Sequence, residues 1–325
     1  MTAKSPDNSP LVTIVGGSGF VGRHIAQRLA RGGWRVRVAC RRPNEAMQVK
    51  PYGDVGQVEP VQCNIRDEAS TRAVIRGADA VINCVGLLSE WGRNTFDACH
   101  AEGAGRVARI AAEEGVGHLV HLSAIGADAA SASKYARTKA AGEAAVAAAF
   151  PGAVILRPSV VFGQDDGFFN RFAGMARLIP LVLPTVGADT KFQPVWVEDV
   201  AEAAARAACG EVVPGTYELG GPSVYTLREV IELMLKVTRR RRLIVNLPFA
   251  VARIQAWFLQ MLPNPLLTVD QVKLLRHDNV VGEGARTLAD LGVVPTAAEG
   301  VIESYLYAYR PQGQYTQLTE NGGEA

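Results

Sequence analysis

The sequence predicts an α/β protein: a doubly wound parallel sheet with a smaller C-terminal α/β lobe. Three observations carry this reading. An apolar, β-branched run from Leu11 to Val15 leads straight into a glycine-rich turn and an amphipathic segment. Short apolar runs then alternate with helix-period segments through the first half of the chain. The length, 325 residues with 48% hydrophobic, suffices for one large sheet domain and a second lobe.

The first strand ends in Gly16, and Gly19 and Gly22 follow at the spacing G-x-x-G-x-x-G. Glycine admits backbone conformations that a Cβ forbids. It also leaves the N–H groups of a helix start open to a pyrophosphate, where the helix dipole favours an anion. Gly16, Gly19, Phe20, Val21 and Gly22 are therefore candidate dinucleotide-binding residues. The helix runs to about Arg31 and stops at Gly32-Gly33.

Trp34 to Cys40 is the second strand, and Arg41-Arg42 follows at once. An acidic residue at this strand end would bond the adenosine ribose 2′-hydroxyl. Arginines there suit a 2′-phosphate instead, so the expected cofactor is NADP(H) rather than NAD(H). A solvated loop charge is the alternative. Val58 to Cys63 is the third strand, followed by Asn64 and Ile65, a polar and an apolar neighbour for adenine. Ala69 to Ile75 reads as helix. Ala78 to Val85 is the fourth strand, and Gly86 after it lets a cofactor pass close to the backbone. Phe96 to Glu114 has helical period and ends at Gly115, and His118 to Ser123 is the fifth strand.

Tyr135 and Lys139 stand four apart on the next helical segment and so share a face. A phenol acid/base beside an ammonium has its proton more easily drawn off. Behind a glycine turn and a strand ending in Ser123, this Y-x-x-x-K pair gains meaning that it lacks alone.

The glycine turn, the strand-five serine and Y-x-x-x-K together resemble the short-chain dehydrogenase/reductase superfamily, of extended or atypical type, and imply a Rossmann fold. Leu156 to Gly163 (LRPSVVFG) is similar to that group's segment beside the nicotinamide, so Arg157 and Pro158 join Val85 and Gly86 as cofactor candidates. Phe192 to Ala201 matches its recurring second-half segment. Tyr135, Lys139 and Ser123 fall on the superfamily's catalytic positions. Relatives carry several polar residues at the end of strand five, however, and here Ala124-Ile125-Gly126 follows Ser123. Holding the nicotinamide ribose is the other role open to Tyr135 and Lys139.

Leu122 to Asp128, the run from Tyr135 through Glu143, and Arg157 to Met175 resemble more narrowly the NADPH-binding accessory subunit of respiratory complex I and its bacterial relatives. That resemblance implies a tightly held NADPH with a structural role and NADH–quinone oxidoreductase subunits as partners. It also implies a peripheral position on the inner face of the inner membrane, cytoplasmic, or on the matrix side in a mitochondrion. The alternative is an NADP-dependent reductase or epimerase acting through Tyr135 and Lys139 on a carbonyl or sugar-nucleotide substrate.

The second half supplies the smaller lobe. Phe168 to Leu183 is apolar and is expected at the mouth of a substrate cleft. Tyr217 to Gly221 reads as strand and turn, and Thr226 to Val237 as a helix with Thr226 and Glu229 in a capping box. Arg239 to Arg242 is either a solvated helix end or a contact for anionic lipid or an acidic partner. The aromatic segment up to Leu267 is either a core helix or an interfacial one. A net charge of +2 gives no reason to expect nucleic acid as a partner. The five cysteines have no metal-ligand spacing, and no metal is expected. No secretory signal or transmembrane span is expected. The chain thus divides into a disordered N-terminus (1–10), an NAD(P)-binding domain (11–165), a smaller lobe (166–310) that returns part of its length to the sheet, and a flexible tail (311–325).

Overall fold

The computed structural model describes residues 9–262, 265–311 and 313. In chain order the first half forms β1 (Leu11–Val15), α1 (Phe20–Arg31), β2 (Arg35–Cys40), β3 (Val58–Gln62), α2 (Glu68–Ile75), β4 (Ala80–Asn83), α3 (Glu102–Glu113), β5 (His118–Leu122), α4 (Lys134–Ala149) and β6 (Val154–Pro158). The second half forms β7 (Val161–Phe162), α5 (Phe169–Leu178), β8 (Val182–Val186), β9 (Lys191–Phe192), β10 (Val195–Trp196), α6 (Val197–Ala208), β11 (Gly215–Leu219), β12 (Tyr225–Thr226), α7 (Leu227–Val237), β13 (Leu243–Leu247), α8 (Phe249–Leu259), α9 (Val269–Leu274), α10 (Ala298–Val301) and α11 (Glu303–Leu306). The chain divides into two compact units.

Of the described residues, the first unit holds 9–158, 197–219 and 282–294. Its seven strands run in the order β3-β2-β1-β4-β5-β6-β11, all parallel. Central β1 is buried along its whole length, as a strand covered on both faces must be, which explains its unbroken apolar run. Helix α1 turns Ile25, Ala26, Leu29 and Ala30 inward and packs against α6; α3 packs against both α2 and α4. The strand order reverses between β1 and β4, the crevice where such sheets take ligands outside their C-terminal strand ends.

Of the described residues, the second unit holds 159–196, 220–262, 265–281, 295–311 and 313. It contains three two-stranded pieces, β7–β10, β9–β12 and β8–β13, rather than one sheet. Phe162, Phe169, Leu183, Phe192, Ile231 and Met234 are at its core. Helix α7 begins with the expected capping box, Thr226 accepting from Glu229 N–H at 3.2 Å and Glu229 accepting from Thr226 N–H at 2.7 Å.

Two boundaries differ from the sequence reading. The first segment of the first unit ends at Pro158, not at 165, because Ser159 already belongs to the second: its hydroxyl lies 2.8 Å from the Asn279 carbonyl and 2.7 Å from its Oδ1. Residues 9–10 are not loose, since the Ser9 and Pro10 carbonyls accept from Arg35 Nε and N–H at 3.1 and 2.9 Å. The remaining expectations for the termini, 1–8 and 314–325, lie outside the described residues. The stretch from Phe168 to Leu183 turns Phe169, Ala173 and Ala176 into the second unit's core. Among the described residues no helix is long and apolar enough to cross a membrane, and no group of three acidic, His or Cys side chains could hold a metal ion.

Candidate functional site

The glycine turn is built to approach an anion. Gly16 adopts φ +80°, and its N–H is tied to the Ala39 carbonyl at 2.8 Å. A Cβ on Gly16 would stand 3.0 Å from Val85 Cγ2, and one on Gly22 would stand 2.7 Å from Gly17 Cα. These two glycines let α1 sit directly on the turn. Gly19 is different: it is extended (φ −72°, ψ 174°), and a Cβ there would meet only the Gly16 carbonyl, at 3.2 Å. The space in front of it is open. Helix α1 has no side-chain cap and no acid in its first turn, and its first intrahelical bond is Arg23 N–H to Gly19 O at 3.0 Å. The preceding amides of Phe20, Val21 and Gly22 are the ones that would donate to a pyrophosphate placed there. The residues present therefore fit a dinucleotide.

The other candidates fall along the same sheet edge, because parallel strands present all their C-terminal ends together. Arg41 and Arg42 follow β2; Arg41 is exposed, and Arg42 Nη1 pairs with Glu45 at 2.9 Å in solvent. Asn64 and Ile65 follow β3. Asn64 Oδ1 accepts from Arg66 N–H at 3.2 Å, and Ile65 is buried in the core against Gly103. Val85 and Gly86 follow β4, and a Cβ on Gly86 would meet only Lys139 Nζ, at 3.7 Å. Pro158 closes β6, its carbonyl accepting from Ile125 N–H at 3.0 Å. Arg157 is engaged elsewhere. Its Nε and Nη2 donate to both carboxylate oxygens of Glu143 at 2.9 and 2.5 Å, and its Nη1 reaches Glu218 at 3.4 Å. That guanidinium joins α4, β6 and β11.

Tyr135 and Lys139 lie on α4, started by Ser133 accepting from Ala136 N–H at 3.3 Å. Lys139 is buried and donates from Nζ to the Leu122 carbonyl at 3.1 Å. This places its ammonium one residue from Ser123 and 6.0 Å from the centre of the Tyr135 ring. Burial draws the Lys139 pKa down to about 8, against the opposing charge of Glu143. Burial pushes the Tyr135 phenol up to about 12. The Ser123 hydroxyl is enclosed and has no hydrogen-bond partner among the described residues. The three residues read as catalytic therefore gather where β5 meets α4.

Two histidines complete the surroundings of this pair. His100 lies on a π-turn, Asp97–Ala101, ahead of α3; such turns often mark functional sites. Its Nε2 accepts from Leu87 N–H at 2.9 Å, so the ring proton sits on Nδ1, 3.3 Å from the Thr138 hydroxyl. That hydroxyl in turn donates to the Tyr135 carbonyl at 3.0 Å. The imidazole stacks on Phe96 and meets the Tyr135 ring edge-on, at centroid distances of 5.2 and 5.3 Å. His121, in β5, takes a bond from Asn83 at 3.2 Å, and its Nε2 has no partner among the described residues. Burial, with the Lys139 charge second, holds both imidazoles neutral, with pKa values of about 3. The sequence signal for them was a histidine inside an otherwise apolar helix and strand.

Comparison with known proteins places this geometry. Residues 12–220 match the model of the NAD dependent epimerase/dehydratase family. The mitochondrial NADH dehydrogenase [ubiquinone] 1 alpha subcomplex subunit 9 of Arabidopsis thaliana is 35% identical over 316 residues, covering 93% of this chain and 79% of its own. A ceramide reductase of Caulobacter vibrioides is 32% identical over 258 residues, 77% of this chain and 79% of its own. Among solved structures, the NADPH-dependent quinone oxidoreductase QOR2 of Escherichia coli superposes with a TM-score of 0.71, at 20% identity, over 91% of this chain and 99% of its own.

Proposed function

The chain belongs to the NAD dependent epimerase/dehydratase family, and on that premise we propose that it is an NADP(H)-binding accessory subunit of an NADH–quinone oxidoreductase. The observation that carries this reading is the likeness to a mitochondrial NADH dehydrogenase subunit along nearly the whole chain, second unit included. In this reading the cofactor is mainly structural, and the protein acts as an accessory subunit or as an assembly and stability factor of the oxidoreductase. The amides of Phe20 to Gly22 hold its pyrophosphate, Arg41 and Arg42 its 2′-phosphate, and Tyr135 with Lys139 its nicotinamide ribose. A ligand taken only by the folded state stabilises it by mass action. The protein would sit peripherally, on the inner face of the membrane that carries the oxidoreductase. Affinity purification from gently solubilised native membranes, with mass spectrometry, tests this. Stoichiometric recovery of oxidoreductase subunits is expected; recovery of the protein alone would overturn it.

The partnerless Ser123 hydroxyl favours a second reading, an NADP-dependent carbonyl reductase or epimerase. The nicotinamide, when bound, supplies or accepts the hydride. In the reductase case Ser123 would donate a hydrogen bond to the substrate oxygen, and the Tyr135 phenol would give that oxygen its proton, leaving an alcohol. The Lys139 ammonium would steady the phenolate left behind. Under this reading Tyr135→Phe abolishes turnover and retains nucleotide. A wild type inert towards a broad panel of carbonyl, sterol and sugar-nucleotide substrates would refute it.

A further inference from the structure

The second unit carries an apolar helix that is inside out. On α8 only Ala252 and Ala256 are buried, whereas Ile254, Trp257 and Phe258 are 62%, 51% and 61% exposed. Val251, Met261, Leu262 and Leu266 are exposed beside them. A helix that faced water would present polar side chains there. The chain from Arg239 to Val269 contains five arginines and no carboxylate.

The arginines ahead of this helix are held in a particular way. Arg240 Nε donates to the Tyr309 carbonyl at 2.8 Å, and Arg242 Nε donates to the Ala176 and Ile179 carbonyls at 3.0 and 2.8 Å. Each is thus pinned by its inner nitrogen. Among the described residues both Nη groups of Arg240 and Nη2 of Arg242 bond nothing, and Arg177, Arg240 and Arg242 pair with no carboxylate. Arg177 lies over the Tyr309 ring at 5.9 Å. Burial, then the charges of Arg242 and Arg177, depresses the Arg240 pKa. Like charges are crowded here, and among the described residues none of these three is in a salt bridge. Arg240 and Arg242 line a groove with Arg228, Arg241 and the single acid Glu232, and it opens beside Leu243. Leu243 pairs in register with Val182, and Leu181 is 77% exposed just before it.

We propose that this face is a docking site for an anionic phospholipid surface: Arg240 and Arg242 bind the headgroup phosphate, and the outer face of α8 enters the acyl boundary. Arg242 Nη1 is also taken, by the Arg241 carbonyl at 2.8 Å, so fork-shaped donors fixed at Nε leave Nη1 and Nη2 of Arg240 and Nη2 of Arg242 organised in advance for phosphate oxygens. Exposed leucines and valines next to them suit the chain below a headgroup, and Trp257 suits the interface itself. Charge complementarity selects lipid over a neutral apolar partner. This deepens the membrane placement proposed above, and it is tested without any respiratory protein, so either proposal can fail alone.

The experiment is vesicle flotation of the full-length protein, on phosphatidylcholine alone and on phosphatidylcholine mixed with phosphatidylglycerol. Binding is expected on the mixed vesicles only, weakened by salt. Arg240→Gln/Arg242→Gln should weaken it about thirty-fold, each arginine contributing on the order of 1 kcal/mol. Ile254→Glu/Phe258→Glu, at exposed positions that leave the core intact, should abolish it. In wild type, brominated acyl chains should quench a fluorescence component that Trp257→Phe lacks. Equal flotation on both vesicles, or none on either, overturns the proposal. So does a rise in melting temperature with inorganic phosphate, lost in the arginine variant, without flotation: the pocket would then take a soluble phosphate. Binding to native membranes alone would assign the face to a protein.

Discussion

Lys139 Nζ donates to the Leu122 carbonyl at 3.1 Å inside the first unit, which ties an ammonium to the end of β5 with little water around it. The consequence is a stability profile that rises and then falls at alkaline pH. Unfolded, Lys139 titrates at about 10.4 and Tyr135 at about 10; folded, they titrate at about 8 and about 12. Between 8 and 10 the unfolded chain holds a lysine proton that the fold has released, so stability rises with pH. Once the unfolded tyrosine ionises while the folded one stays neutral, stability falls again. On the acid side His100 and His121 stay neutral in the fold to about 3, whereas unfolded histidine gains its proton at about 6.5. Stability is therefore lost as pH falls through that window. Urea midpoints across the pH range should show both limbs. In His100→Gln the acid slope should drop by about one proton.

Gly19 and Gly22 should fail in different ways. Gly22→Ala drives a Cβ to 2.7 Å from Gly17 Cα, backbone against backbone, and should destabilise the nucleotide-free protein by about 1–3 kcal/mol. Gly19→Val keeps a φ that any L residue adopts and meets little of the protein, yet its side chain fills the space in front of the amides. Its melting temperature without nucleotide should stay near wild type. The stabilisation by NADPH, about 2.7 kcal/mol at a hundred-fold excess over Kd, should disappear. Paired melts with and without NADPH check both.

The arginines after β2 carry the choice of cofactor. Arg41→Ala/Arg42→Ala should weaken NADPH on the order of ten- to hundred-fold, since a hydrogen bond to a charged group contributes about 1.5–3 kcal/mol. NADH affinity should hardly move, because its ribose carries no phosphate at that position. Fluorescence titration with both dinucleotides measures the ratio.

The sheet was readable because its strands and helices each carry their own period, and the glycine turn because only glycine packs at Gly16 and Gly22. What escaped was set by tertiary neighbours. Nothing local to Arg157 announces Glu143 on α4 and Glu218 on β11. His100 gains its role only when a π-turn brings it beneath Leu87 and beside Tyr135. Gly142 looks like a weak point in a helix, yet a Cβ there would stand 2.0 Å from the His100 carbonyl, so it is what lets α4 approach the π-turn. Helix α8 could be read as core or interface from its composition alone. Only the burial of its two alanines decides which face is turned in.

Arg157 is the residue for which sequence and structure suggest different experiments. The resemblance implies a cofactor contact, whereas the guanidinium is a bidentate partner of Glu143, a carboxylate whose side chain is 9% exposed. Removing one member of such a pair strands the other away from water, at about 3–5 kcal/mol. Arg157→Met should therefore lower the urea midpoint sharply. Arg157→Met/Glu143→Gln should recover part of the loss, because the stranded charge is gone. Under conditions where Arg157→Met remains folded, NADPH affinity should stay within about twofold of wild type, since the side chain is held within the fold rather than at the strand ends. A large loss of affinity with an unchanged midpoint would return Arg157 to the cofactor site.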